Sequence, residues 1–170
     1  MTRFLARWRV TFGFLCGAVA IVLARPSRGS FVVGLPIVLA GEALRIWAAG
    51  HLEKGREVTS SGPYRWTRHP LYVGSTLLGL GFGIASNHPV VLALAVVYLA
   101  LTLTAAARSE ERHLESKFGE AYGLYRRGEQ GCGAEARRFS AARARRNGEH
   151  RTLAGVLGAA AYLFVLAVRR

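Results

Sequence analysis

Five apolar runs, separated by short polar segments, dominate the pattern of this chain. A helix that crosses the hydrocarbon core of a bilayer needs about 20 mostly apolar residues, within a range of roughly 17 to 25. One run has this length by itself, and the others borrow flanking residues such as Trp8 or the interfacial Tyr64 and Trp66. The pattern predicts an all-α integral membrane protein with about five transmembrane helices. The runs are residues 10–24, 31–49, 71–86, 89–107 and 152–168.

The first apolar run also allows a second interpretation, as a secretory signal peptide. Three arginines stand among the nine residues before it, and Val22-Leu23-Ala24 resembles a cleavage site. However, Arg25 and Arg28 follow directly and lead at once into the next apolar run. We therefore expect a membrane helix at this position.

Charge and composition narrow the class of protein further. The 170-residue chain is 51% hydrophobic and yet carries a net charge of +13. The charges form clusters between nearly uncharged runs, which is typical of a membrane protein with basic loops and not of a nucleic-acid-binding protein. Cys16 lies in an apolar run and Cys132 in a polar one, so neither a disulfide nor a metal-ligand spacing is indicated. We expect a single domain over residues 1–170 and no nucleic-acid partner.

The distribution of arginine and lysine orients the predicted helices. With a cytoplasmic amino terminus, the cytoplasmic segments contain Lys54, Arg56, Arg65, Arg68 and the basic stretch 108–151. The outer segments contain only the arginines at 25, 28, 169 and 170. Because basic loops stay in the cytoplasm, we expect an inner-membrane protein that contacts acidic lipids. The segments before the third run and after the fourth would lie on the same cytoplasmic side.

The segment before the third run, SSGPYRWTRHPLYVGS, carries the first group of candidate site residues. Pro70 suits the first position of a helix, so His69 is expected at the helix amino terminus, where a carboxylate binds well. The same dipole favours a neutral imidazole, Arg68 offers a bidentate grip on an anion, and Tyr64 and Tyr72 offer hydroxyls and flat faces. The simpler interpretation is an interfacial anchor of tryptophan, tyrosine and arginine.

The segment after the fourth run, ARSEERHLESKFGEAYGLYRR, carries the second group. Its members share one face of a continuous helix, which predicts an amphipathic cytoplasmic helix on the membrane or over the segment before the third run. The members are Glu111, Leu114, Phe118, Tyr122 and Tyr125. Glu110 and Glu111 are suited to accept hydrogen bonds from ribose hydroxyls or an ammonium group. Alternatively, each pairs with Arg108, Arg112 or Arg65.

Two further groups of polar residues lie in or next to apolar runs. Glu42 and Arg45 in the second run either pair with each other or line a site. Arg146 and Glu149 precede the last run, and Asn147 is a candidate cap for its helix. Small residues predict close helix packing in the second and third runs. These are Gly34, Gly41 and Ala48 in the second run and Gly79 and Gly83 in the third.

The combination GPYxxxRHPxYxG, then EExxL and FGxxYxxY after two membrane spans, resembles the isoprenylcysteine carboxyl methyltransferase and phospholipid methyltransferase superfamily of integral membrane enzymes. The resemblance covers about residues 41–125 and implies S-adenosylmethionine as cofactor on the cytoplasmic side. It implies that the cofactor site is lined or supported by Tyr64, Arg68, His69, Tyr72, Glu110 and Glu111. We expect substrate contacts from Glu42, Arg45, Tyr122, Tyr125, Arg146 and Glu149.

The expected reaction is methyl transfer to a lipid-like or small amphipathic acceptor, through a carboxylate or an amine. The chain departs from the family pattern after Tyr125, where a proline-containing segment is usual and RRGEQGCGAEARRFSAARARRNGEH stands here. Two alternatives remain at this point: a nicotinamide-dependent membrane reductase relative, and a non-catalytic scaffold that binds acidic lipids through its basic loops.

Overall fold

The computed structural model describes residues 2–129 and 138–169 (for residues 2–10, the backbone alone), and every regular element in these ranges is helical. Cys132 and the glycines at 131 and 133 lie outside the described residues. A 3-10 turn spans Gly62–Arg65. The α-helices are α1 Thr2–Leu23, α2 Arg28–His51, α3 Pro70–Ala85, α4 Pro89–Phe118, α5 Glu120–Arg127, α6 Ala141–Arg146 and α7 Glu149–Val168.

Each predicted apolar run lies in a helix, which confirms the all-α membrane character. Three helices, α2, α4 and α7, are long and apolar enough to cross a membrane. The apolar part of α1, Thr11–Leu23, and the whole of α3 are shorter apolar helices. The count of five spans therefore stays a prediction, since length and composition support three.

Helices α2 and α3 pack closely because glycines line their contact. A Cβ atom added at Gly41 would lie 2.8 Å from the Gly74 carbonyl oxygen and 2.9 Å from the Leu77 Cβ. A Cβ atom at Gly34 would meet Gly81 and Ala85 of α3. Gly79 and Gly83 face leucines of α4. The packing role predicted for these glycines is confirmed.

Gly41→Ala should destabilise the protein by about 1–3 kcal/mol, because the added methyl group has no room between α2 and α3. Thermal unfolding in detergent measures the change. Gly155→Ala in α7 is the matched control, since a Cβ atom there meets nothing within 4 Å. Equal unfolding temperatures for the two variants would contradict the close contact of α2 with α3.

The polar segments gather at one end of the helix bundle. Helix α2 ends there at His51, α3 begins there at Pro70, and α7 begins there at Glu149. At the other end, the Arg25 N–H donates to the Ser86 carbonyl at 2.8 Å. This arrangement brings the segment before α3 and the polar end of α4 together, as the basic-loop pattern predicted.

Two local predictions about the polar segments are wrong. The helix over residues 107–127 is not continuous, because Gly119 adopts φ 50° and ψ −121° between α4 and α5, a backbone region that glycine tolerates at low cost. Asn147 does not cap α7, whose N-cap is Gly148. The Asn147 side chain donates instead to the Ala49 and Leu52 carbonyls, both at 2.9 Å, and so caps the end of α2.

Candidate functional site

A cleft of about 850 Å³ opens at the polar end of the bundle, between the start of α3 and the helices α4 and α5. Ligand pockets typically measure about 300–1,000 Å³, so the cleft has room for a cofactor-sized molecule. Seven of the predicted site residues line it: Tyr64, Arg68, His69, Tyr72, Glu110, Tyr122 and Tyr125. The other predicted site residues lie outside its lining: Glu42, Arg45, Glu111, Arg146 and Glu149.

His69 lies at the amino terminus of α3, as Pro70 predicted. It is the N-cap residue, but its side chain makes no capping hydrogen bond. Its ring instead faces two carboxylates, with Nε2 3.2 Å from Glu111 Oε1 and Nδ1 3.8 Å from Glu110 Oε2. The Arg68 guanidinium also reaches Glu111 Oε1, at 3.2 Å. Glu111 therefore supports the cleft from behind by holding Arg68 and His69.

Tyr72 connects α3 to α4 across the cleft. Its hydroxyl donates to Glu110 Oε2 at 2.7 Å, and its ring stacks on His69 with 5.3 Å between ring centroids. The partners of Glu110 and Glu111 are thus Tyr72, His69 and Arg68, and the pairing with Arg108, Arg112 or Arg65 is wrong. The Glu110 carboxylate, the Arg68 guanidinium and the two stacked rings surround one space.

The interfacial-anchor interpretation stays a prediction and concerns only part of the same segment. Trp66 is 77% exposed and contacts Trp47 edge-on with 5.3 Å between ring centroids. Exposed tryptophans are common at membrane interfaces. Tyr64, by contrast, is only 8% exposed and lines the cleft. The segment therefore combines an exposed tryptophan with a wall of the cleft.

Helix α5 closes the cleft through its tyrosines. The Tyr125 hydroxyl donates to the Tyr64 carbonyl at 2.8 Å, so α5 lies over the 3-10 turn. Four members of the predicted stripe, Leu114, Phe118, Tyr122 and Tyr125, line the cleft despite the break at Gly119. Tyr122 is 1% exposed, and its hydroxyl interacts with the Arg68 guanidinium, although the geometry falls outside that of a regular hydrogen bond. A buried hydroxyl of this kind is available to a ligand.

Burial makes the tyrosines of this wall weaker acids. It raises the pKa of Tyr125 to about 12, and the neighbouring Tyr122 adds to the shift while Arg68 opposes it. Burial is also the main cause that raises the pKa of Tyr64, followed by the charge of Glu110. Burial, followed by the charge of Glu111, raises the pKa of Tyr122. All three hydroxyls therefore remain neutral hydrogen-bond donors at neutral pH.

Tyr125→Phe should destabilise the protein by about 1 kcal/mol at neutral pH, because the hydrogen bond to Tyr64 is lost. A tyrosine pKa that is raised on folding contributes stability below the unfolded pKa, near 10, and loses it as pH rises toward 12. The parent should therefore lose more stability than the variant over this pH range. Unfolding curves recorded from neutral to alkaline pH measure both effects, and parallel pH profiles would contradict the prediction.

A second polar cluster lies below the cleft, between α2, α3 and α7. Arg45 Nη2 lies 2.7 Å from Glu149 Oε1, and the two side chains are 17% and 7% exposed. Arg45 Nη1 donates to the Ser75 hydroxyl at 2.5 Å and to the Leu71 carbonyl at 3.4 Å. Since Leu71 also lines the cleft, one residue borders both the cleft and this buried cluster. The pairing of Arg45 with Glu42 is wrong.

Glu42 is 4% exposed, and neither of its carboxylate oxygens has a hydrogen-bond partner among the described residues. Glu149 Oε2 and Arg45 Nε lack partners as well. The other two guanidinium nitrogens of Arg45 donate hydrogen bonds, Nη2 to Glu149 and Thr152 and Nη1 to Ser75 of α3. A buried acid without a partner inside a membrane protein is a candidate functional group.

Sequence reasoning missed several residues of the cleft wall. Glu53 and His113 line the cleft, and Arg143 binds Glu53 at 2.7 Å. His113 had a signal, because it lies four positions after Ser109, another cleft residue, on the same face of α4. Glu53 and Arg143 are 90 positions apart, and no sequence pattern indicated that they would meet. The predicted Arg146 is 66% exposed and reaches the cleft only through Glu53, at 3.7 Å.

A profile of the phospholipid methyltransferase family matches residues 8–121. The chain belongs to this family. The matched region of this phospholipid methyltransferase family member includes the 3-10 turn, all of α3 and the pair Glu110–Glu111. It ends within α5 and leaves α6 and α7 outside. The predicted superfamily is confirmed.

Two curated relatives of this family member are named for metal resistance. The cobalt-zinc-cadmium resistance protein CzcN of Cupriavidus metallidurans is 36% identical over 123 residues, which cover 66% of this chain and 56% of the relative. The nickel-cobalt-cadmium resistance protein NccN of Alcaligenes xylosoxydans xylosoxydans is 31% identical over 96 residues, which cover 55% of this chain and 45% of the relative. The chain thus spans about half the length of these relatives. No solved structure matches significantly.

The relatives' names prompt the question of a metal site. Within residues 2–129 and 138–169, no three histidine, cysteine, aspartate or glutamate side chains are placed to hold one ion together.

Proposed function

We propose that this protein transfers a methyl group from S-adenosylmethionine to an apolar or amphipathic acceptor at the cytoplasmic face of the membrane. Membership of the phospholipid methyltransferase family supports methyl transfer. The observation that carries the proposal is the cleft at the start of α3, where Arg68, His69 and Glu110 surround one space next to apolar helices. Five helices would cross the membrane, and α5 with the end of α4 would lie in the cytoplasm.

The polar groups of the cleft fit the methionine part of the cofactor. Its carboxylate would be held by Arg68 and by the Leu71 N–H, the first N–H of α3 because Pro70 has none. Its ammonium would be held by Glu110, which Tyr72 fixes in place, and the Tyr122 hydroxyl would gain a regular hydrogen bond. The flat faces of Tyr72 and Tyr64 suit the cationic sulfonium. The residues present therefore fit the group.

The cofactor supplies an activated methyl group, and the residues of this chain supply orientation and exclusion of water. Methyl transfer is an in-line displacement, which gains most of its rate from placing the acceptor atom opposite the leaving sulfur. Tyr64, Tyr122 and Phe118 line the cleft and keep bulk water from the reacting atoms. This account requires no covalent intermediate on the protein.

The acceptor would enter from the membrane between α2 and α7. The cluster of Arg45, Glu42 and Glu149 lies in its path, below the Leu71 wall of the cleft. Arg45 suits an acceptor carboxylate, whereas the unpartnered oxygens of Glu42 and Glu149 suit an acceptor amine. Tyr125 and Tyr122 would cover the acceptor from the cytoplasmic side, and exposed Arg146 would attract it there.

The metal-resistance names of the relatives bear on the biological setting. We propose that a role of this protein in metal resistance, like that named for the relatives, would act through a methylated product. Membership of the phospholipid methyltransferase family supports this. This second proposal depends on the methyl-transfer activity proposed above.

The orientation has its own test. Reporter fusions after Lys54 and after Arg127 should both report a cytoplasmic location, because the segments that form the cleft carry the basic residues. A fusion after Asn87, in the turn between α3 and α4, is the control and should report the opposite side. Two periplasmic readings at Lys54 and Arg127 would place the cleft on the wrong face for a cytoplasmic cofactor.

Methyl transfer itself is tested by incubating the purified protein with methyl-labelled S-adenosylmethionine. The acceptor panel holds phospholipids, fatty acids, prenylated cysteines and small thiols. Label should appear in an organic-soluble product, and its stability to base distinguishes an ester from a methylamine. Label in no member of the panel, together with no binding of S-adenosylhomocysteine, would favour the lipid-binding scaffold over the enzyme.

A further inference from the structure

Glu53 is a cleft residue that the family motif does not include. It follows α2 directly, lines the cleft, and its side chain is 12% exposed. Arg143 Nε donates to its Oε1 at 2.7 Å, and Arg146 Nη2 lies 3.7 Å from the same oxygen. Its N–H donates to the Thr59 hydroxyl at 3.2 Å. The short contact with Arg143 keeps the Glu53 carboxylate in one orientation.

The residue that holds Glu53 is itself fixed. The Arg143 side chain is 13% exposed, and its Nη1 donates to the Gly50 carbonyl at 2.7 Å. The Ser140 N–H donates to the same carbonyl at 3.1 Å. Asn147 caps the last carbonyls of α2, as described above. The segment from 138 to 147 is therefore fastened to α2 and places Arg143 behind the cleft wall.

Glu53 marks a part of the cleft separate from the methionine subsite. Its ion pairs join it to α6. Arg68 and His69 instead contact the carboxylate pair of α4, Arg68 through Glu111 and His69 through both acids. A ligand whose charged end lies among Arg68 and Glu110 would place its uncharged end elsewhere in the cleft. The nucleoside of the cofactor carries no charge, and its ribose offers two adjacent O–H donors. A carboxylate is the side chain that accepts both.

We propose that Glu53 binds the ribose diol of the cofactor and that Arg143 is its positioning residue. This inference rests on the proposed function, because it takes the cofactor to be S-adenosylmethionine. It adds a nucleoside subsite to the methionine subsite. It also gives a function to the segment after Tyr125, which lies beyond the family match and departs from the family pattern.

Calorimetric titration with three ligands tests the proposal. The ligands are S-adenosylhomocysteine, methylthioadenosine, which keeps the ribose but lacks the amino-acid part, and the 2′-deoxy analogue of methylthioadenosine. Glu53→Gln should weaken the first two about ten- to a hundredfold, which is the usual range for a hydrogen bond to a charged group. The parent should prefer the ribose form over the deoxy form, and the variant should bind both equally.

Arg143 should act through Glu53 alone. Arg143→Ala should weaken methylthioadenosine binding, Arg143→Lys should restore part of it, and the double variant with Glu53→Gln should be no weaker than Glu53→Gln by itself. Glu115→Gln is the matched control, because Glu115 also pairs with an arginine, Arg126, but lies outside the cleft lining. Its affinities should equal those of the parent.

The outcomes separate this inference from the proposed function. If the folded parent binds no S-adenosylhomocysteine, the cofactor assignment fails, and the diol site fails with it. If the parent binds it and Glu53→Gln binds it equally tightly, only the diol site is overturned. If Glu53→Gln weakens S-adenosylhomocysteine but leaves methylthioadenosine unchanged, Glu53 binds the ammonium group and the proposal is wrong. Thermal unfolding of each variant confirms that the titrated protein is folded.

Discussion

Arg45→Ala is expected to destabilise the protein by about 3–5 kcal/mol, the largest stability change for a single substitution that the structure predicts. Among the described residues, Arg45 is the one salt-bridge partner of buried Glu149, and it also joins α2 to α3 through Ser75. Removing it leaves two buried carboxylates, Glu42 and Glu149, with no compensating charge in the cluster. Chemical or thermal unfolding in detergent measures the loss.

The pair Arg126–Glu115 is the matched control for that experiment. Its two atoms are 2.6 Å apart, but the side chains are 53% and 47% exposed. Exposed ion pairs contribute about 0–1 kcal/mol, so Arg126→Ala should change little. Adding Glu149→Gln to Arg45→Ala should restore part of the stability, since one uncompensated charge is then removed. If the two arginine variants unfold alike, the Arg45 cluster is not a buried network.

His69→Ala is expected to lower the affinity for S-adenosylhomocysteine by roughly ten- to a hundredfold. The imidazole lies at the start of α3 between Glu110 and Glu111 and lines the cleft. Loss of one hydrogen bond to a charged group costs about 1.5–3 kcal/mol, which corresponds to that change in affinity. Glu111 keeps Arg68 as its partner, so the variant should still fold.

His88→Ala is the control for His69→Ala. His88 precedes α4 at the opposite end of α3 from the cleft, so its removal should leave cofactor affinity unchanged. Isothermal titration of both variants gives the comparison. If both bind S-adenosylhomocysteine as tightly as the parent, the start of α3 is an interfacial anchor and the cofactor site lies elsewhere.

The long helices and part of the cleft wall could be predicted because their signals are local. A long apolar run by itself predicts a membrane helix. Pro70 predicts the start of α3, because its missing N–H is not needed at the first position of a helix. The motif around Arg68 and His69 and the pair Glu110–Glu111 lie at the ends of two successive helices. Successive antiparallel helices bring such ends together, so the meeting of these groups followed from the order of elements.

The contacts between distant segments could not be predicted in the same way. Arg45 and Glu149 are 104 positions apart, and the nearer Glu42 on the same helix face was the more obvious partner. The apolar and tyrosine stripe continues across Gly119, so periodicity gave no sign of the break there. Asn147 precedes α7 and resembles its cap, but the free carbonyls at the end of α2 attract its side chain. Each case depends on tertiary packing that local pattern does not encode.

The most direct test of the central claim is calorimetric titration of the purified protein with S-adenosylhomocysteine and, separately, with reduced nicotinamide dinucleotide. The cleft combines Arg68 for a carboxylate with Glu110 for an ammonium group, a pair that an amino acid satisfies and a dinucleotide does not. We predict saturable binding of S-adenosylhomocysteine to one site per chain and no binding of the nicotinamide cofactor. Binding of the nicotinamide cofactor alone, or of neither ligand by folded protein, would contradict the account.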